Sequence, residues 1–223
     1  MSGDGGGPKK FGPMYLRNRY RILFYTVLLT LGGAPVLSAL RFSGMLIESL
    51  LALSLLAAIM PVGVRSRPYL LGGMLAVWVA RPLTVWMEHP LFSAVTLGIW
   101  TAIGLLATAV ALRFAMRATA VDAEHLYAAL SAYLMAGIFF GLLYFVVEQV
   151  NPGTFTAPTQ FTQTSAIYFS FVTLATLGYG DIAPRGDIAR GIAIVEGVGG
   201  QLFLAVLVAR LVSLYTKSGD DQN

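Results

Sequence analysis

Apolar residues gather into six stretches, at 22–40, 44–64, 69–87, 91–114, 126–150 and 188–215, separated by short polar connections. Each is near the ~20 residues that a helix needs to cross a bilayer, so the pattern predicts six membrane-spanning helices. The connection between the fifth and the sixth is of another kind. It holds an amphipathic run at 160–172, which predicts a short helix, and then Thr173-Leu174-Ala175-Thr176-Leu177-Gly178-Tyr179-Gly180-Asp181 before the chain turns apolar again near Ile188. The sixth stretch is long. Its 28 residues make about 42 Å of helix, against an apolar core of ~30 Å, so it should tilt and project inward.

Composition agrees with that pattern. Of 223 residues, 57% are hydrophobic and only 12% charged, with a mean hydropathy of +0.72, so most of the chain belongs in the lipid bilayer. There is no cysteine, which excludes disulfides and thiolate metal sites. The net charge of +4 does not point to nucleic acid, because the cations sit at the ends of apolar stretches rather than in a cluster with aromatics. They mark topology instead. With both ends inside, the inner side carries eleven basic residues (Lys9, Lys10, Arg17, Arg19, Arg21, Arg65, Arg67, Arg113, Arg117, Arg210, Lys217) and the outer side three, Arg41, Arg185 and Arg190. The count predicts a multi-pass cell-membrane protein with cytoplasmic termini and the 173–181 run at the outer face. Residues 1–20 form a cytoplasmic tail, and the first apolar stretch is read as a retained helix rather than a signal peptide.

Gly-Tyr-Gly in an apolar chain can be an ordinary turn, since glycine supplies left-handed torsions. The run 176–181, Thr-Leu-Gly-Tyr-Gly-Asp, nevertheless resembles the selectivity-filter signature of the tetrameric potassium channels, residue for residue save Leu177 in place of valine. From Leu126 onward, about two-fifths of the chain, the order of segments is similar too: outer helix, turret (149–159), pore helix, filter, inner helix. The resemblance implies an all-α membrane protein with a re-entrant pore helix and filter between its fifth and sixth spans. Four identical chains would surround one pore and pass potassium ions, the only cofactors implied; this is a channel and not an enzyme. Backbone carbonyls of Thr176, Leu177, Gly178 and Tyr179, with the Thr176 hydroxyl, would replace the ion's water, and Gly178 and Gly180 would permit torsions of alternating sign. Leu177 and Tyr179 would point away from the ions and pack on the short helix behind them, with Tyr168, Phe169 and Phe171 as an aromatic cuff. Thr173 and Ala175 would end that helix. Where some relatives carry a buried glutamate that pairs with the aspartate after the filter, this chain has Val172, so Asp181 needs another partner and Tyr168 is the candidate.

The domain reading follows: tail 1–20, a four-helix peripheral domain at 21–117, the pore domain at 118–217 and a short cytoplasmic tail at 218–223. The peripheral domain resembles a voltage sensor in helix number alone. A sensing helix carries arginine at every third position, because each charge crossing 100 mV contributes about 2.3 kcal/mol. Residues 91–112 contain no basic residue, so little or no voltage sensing is expected. A gating ligand would act on the membrane part, on the N-terminal tail or through a separate regulatory subunit.

Several residues stand out within or beside the apolar stretches. Arg81, beside Pro82, and Glu48 are intramembrane charges, open to reading as a structural ion pair, as snorkelling or as a sensing charge. His89 and His125 read as solvated interfacial groups or as pH sensors. Gly200 lies nineteen residues after Asp181, which resembles the hinge position of family inner helices. With Gly197 and Gly199 it marks either a hinge or close helix packing. Glu196 is one turn before Gly200 and should face the pore helix, as a structural brace or as a gating and proton-sensitive group. Two rival functions are a weakly selective cation channel on the same scaffold and a six-helix secondary transporter. The second lacks the paired broken helices such proteins show. Residue usage and compactness suggest a bacterial source.

Overall fold

The computed structural model describes residues 13–39, 90–117 and 123–220, with the single positions 72, 75, 76 and 79. The span expected at 44–64 and most of that at 69–87 lie outside the described residues, as do Glu48, Arg81, His89 and the extreme tails. Five helices are described along the chain: α1 (Pro13–Ala39), α2 (Pro90–Ala115), α3 (Ala123–Val150), α4 (Gln163–Leu174) and α5 (Asp187–Asp220). Among the described residues, Leu91–Ala115, Ala123–Val150 and Asp187–Ser213 are long and apolar enough to cross a membrane. These match the fourth, fifth and sixth stretches of the sequence. α1 starts at Pro13, well before the apolar stretch it contains.

The helix α3 is the hub, and α1, α2, α4 and α5 all pack on it. Small residues make that possible. Ala128, Ala129 and Ala132 are buried in one cluster with Tyr20, Leu23 and Val27 of α1 and with Leu97, Trp100 and Ala107 of α2. Gly104 of α2 lies so near the Phe139 ring that no Cβ would fit. At the start of α3, Glu124 accepts from the Tyr20 N–H at 2.9 Å and sits 3.8 Å from Arg19, where a carboxylate also favours the positive helix end. His125 stacks on Phe114 with ring centroids 4.5 Å apart, rather than standing free as a cap.

Strand pairing was not expected from the sequence. Phe155–Thr156 (β1) and Ala183–Pro184 (β2) pair antiparallel, Phe155 opposite Pro184 and Thr156 opposite Ala183. The pair ties the segment before α4 to the segment after the filter run. Glu148, near the end of α3, secures it by accepting from the Gly153 N–H (2.8 Å) and the Phe155 N–H (3.0 Å). The Thr154 carbonyl in turn accepts from Arg185 N–H at 2.7 Å. The fold therefore remains helical, with one small clamp at the base of the re-entrant loop.

Candidate functional site

The site is the loop from α4 to α5. α4 begins where the Thr162 hydroxyl accepts from the Ser165 N–H (3.2 Å) and Ser165 Oγ accepts from the Thr162 N–H (2.6 Å). This reciprocal cap satisfies two donors at the helix start and places the helix at Gln163–Leu174 rather than 160–172. Thr173 is in its last turn. Ala175 closes it, donating its N–H to the Phe171 carbonyl at 2.9 Å.

The backbone then changes hand at every second residue. Thr176, Gly178 and Gly180 have φ of +56°, +58° and +78°, while Leu177 and Tyr179 between them do not take positive φ. Torsions of alternating sign turn successive carbonyls of an extended strand to one side instead of to opposite sides. Glycine allows this at 178 and 180 without a Cβ penalty. Thr176 does so against a cost of roughly 1–2 kcal/mol, and it is the one non-glycine with positive φ among the described residues. That strained torsion was not foreseen.

Within one chain the large side chains around this run fall into two groups. Leu177 and Tyr179 are 55% and 66% exposed, so their own chain's α4 does not supply their packing. Phe169 and Phe171 pack on the other side, toward α3. Phe169 stacks edge-on with Tyr144 (4.9 Å) and Phe155 (5.4 Å), and Phe171 lies against Gly137, where a Cβ would come 2.6 Å from its Cζ. The cause is the face that α4 turns to α3, which takes both rings. Tyr168 is left exposed at 39%, on the side of α4 nearer Asp181, whose carboxylate is close enough to act on the phenol.

Behind the filter, α5 carries Glu196, which is 1% exposed. Tyr144 Oη of α3 donates to Glu196 Oε2 at 2.6 Å, and Ser170 Oγ of α4 hydrogen-bonds Glu196 Oε1. Ser170 Oγ also lies 2.6 Å from the Gly137 carbonyl of α3. One side chain therefore joins outer, short and inner helices. Tyr144 was missed by the sequence reading, being 52 residues from its partner with no local pattern to announce the contact, whereas the bracing reading of Glu196 already implies a hydroxyl of the short helix, here Ser170.

The three glycines of α5 differ in their surroundings. A Cβ at Gly200 would meet Leu174 Cδ1 at 2.6 Å and the Leu174 carbonyl at 3.2 Å, so this glycine serves close packing. Gly197 has ordinary room beside Thr173, with the nearest atoms at 3.9 Å, and Gly199 faces open space. The helix runs through all three without a break. Gly199 and Gly200 border a cavity of about 300 Å³ between α2, α3 and α5, walled by Leu105, Tyr133, Phe140 and Phe203 and reaching Glu196. Among the described residues there is no cluster of His, Cys, Asp or Glu that could hold a metal ion.

Comparison with known proteins matches the same part of the chain. A family model described as ion channel covers residues 129–217. The inward rectifier potassium channel Kirbac3.1 of Paramagnetospirillum magnetotacticum is 34% identical over 89 residues, 38% of this chain and 28% of that protein. Protein LctB of Bacillus caldotenax is 30% identical over 96 residues, 40% of this chain and 71% of that protein. The chain thus spans little more than a quarter of the first relative's length and about seven-tenths of the second's. No solved structure matches. The filter motif, the helix order around it and these relatives agree that the chain belongs to the potassium-channel family.

Proposed function

We propose that four copies of this chain form one pore that conducts potassium ions passively and selectively across the cell membrane. The observation that carries this reading is the alternation of backbone hand at Thr176, Gly178 and Gly180, which aims the carbonyls of a short strand to one side. Four such strands around an axis replace an ion's hydration shell with rings of oxygen. Assembly is favoured by what a single chain leaves uncovered. Only 11% of the membrane-length window of α5 is buried within the chain, against 50% for α3, and Leu177 and Tyr179 await a neighbour. The negative carbonyl end of α4 favours a cation at the inner mouth of the filter. The name of Kirbac3.1 supports potassium as the ion.

The peripheral helices add no voltage sensor on this reading, since α2 carries no basic residue before Arg113. Both termini are cytoplasmic, with six spans in all. Purified protein in a planar bilayer with symmetrical potassium should give stepwise currents with a nearly straight current–voltage relation. A steep sigmoidal opening curve would contradict the absence of a sensor, and a smooth saturating flux without unitary steps would favour a transporter.

A further inference from the structure

Hydrogen-bond donors in the buried cluster behind the filter can be counted. Three short oxygen–oxygen contacts link Tyr144, Glu196, Ser170 and the Gly137 carbonyl, in that order. The two hydroxyls provide one proton each, and a carbonyl can only accept. With an ionised carboxylate, Tyr144 and Ser170 would both donate to Glu196, and the 2.6 Å contact from Ser170 to Gly137 would set two lone pairs against each other. With a proton on Glu196 every contact is satisfied: Tyr144 O–H to Oε2, the carboxyl O–H to Ser170 Oγ, and Ser170 O–H to the Gly137 carbonyl. Among the described residues no cation is near enough to favour the anion. The titratable groups facing Glu196 among the described residues are Tyr144 and Tyr133, both on α3; α4 presents Ser170 and Leu174 to it, and α2 presents Thr108 across the cavity.

We propose that Glu196 is a protonated clamp that holds the pore helix against the outer and inner helices, and that loss of its proton releases the pore helix and shuts conduction. Deprotonation forces Ser170 to turn its single proton from Gly137 to the carboxylate, so the tie between α3 and α4 is given up. That tie lies one turn before Leu174, the last residue of α4, two residues ahead of Thr176. The clamp thus converts proton concentration into filter support, with low pH favouring conduction. Its effect on flux rests on the channel reading, whereas its protonation state does not.

Two measurements on the full-length protein separate these. Infrared difference spectra of the reconstituted protein against Glu196→Gln should show a carboxylic C=O band at neutral pH that disappears at alkaline pH. Potassium flux in the same vesicles should fall several-fold between about pH 6 and pH 9, a range in which ordinary carboxylates no longer titrate. Glu196→Gln should stay at the low-pH level throughout, because its amide N–H donates to Ser170 while its carbonyl accepts from Tyr144. Tyr144→Phe removes a donor that favours the anion, so it should move the fall to higher pH. Absence of the band at neutral pH overturns the proposal whether or not the vesicles conduct. So does a Glu196→Gln variant, or a Tyr144→Phe variant, whose flux follows the wild-type pH profile unchanged.

Discussion

Gly180 sits at φ +78° with nothing within 4 Å of where a Cβ would lie, so the cost of a side chain there is torsional and not steric. Gly180→Ala should cost roughly 1–2 kcal/mol in each chain, and on the proposed four-chain pore that strain recurs in every chain. The expected outcome is loss of potassium flux to background with the helical circular dichroism unchanged; an Ala variant that conducts normally would mean that this torsion is not needed. At this scale the sequence was informative where a residue type has one economical use. Gly178 and Gly180 announced left-handed backbone, and Glu196 stood out as a charge in an apolar helix. The positive φ of Thr176 was not legible, because a β-branched residue gives no sign of adopting a torsion that it disfavours. Tyr144 was hidden for a different reason, and Ser170 was legible only as one of several hydroxyls on the short helix. A hydroxyl in an apolar helix declares a need for a partner but not which partner.

Among the elements, α3 and α4 approach through glycine. A Cβ at Gly141 would lie 2.5 Å from Ile167 Cα, whereas the nearest atoms to one at Gly137 belong to the Phe171 ring. Backbone cannot yield and a ring can rotate. Gly141→Ala should therefore destabilise the protein by about 1–3 kcal/mol, visible as a lower unfolding temperature in detergent, and Gly137→Ala by clearly less. Equal losses would mean that the two helices are not held as closely as described. Helix existence was legible from apolar runs alone, and α2, α3 and α5 fall close to their expected positions. The start of α4 was displaced because the Thr162 and Ser165 cap uses serine in place of the acidic or amide partner that makes such boxes recognisable. The strand pair at Phe155 and Pro184 escaped because two residues carry no periodicity, and its support by Glu148 is set by the turn at Gly153, with φ +85°, rather than by any pattern.

For the whole molecule, the described helices form a hub around α3 with the filter strand and α5 on its uncovered side. A single chain leaves the least buried of its three described membrane-length helices and the side chains of Leu177 and Tyr179 exposed, and on the proposed function a ring of copies would cover them and close a set of carbonyl oxygens. In the sequence the expectation of assembly rests on the 176–181 motif alone, since assembly leaves no periodicity of its own. The account as a whole stands on potassium being preferred to sodium by that ring, so the most direct measurement is the reversal potential with potassium on one side of a bilayer and sodium on the other. A reversal displaced toward the potassium equilibrium potential by well over about 59 mV, the shift for a tenfold preference, is predicted. Reversal near zero would contradict potassium selectivity and leave a cation pore of low discrimination.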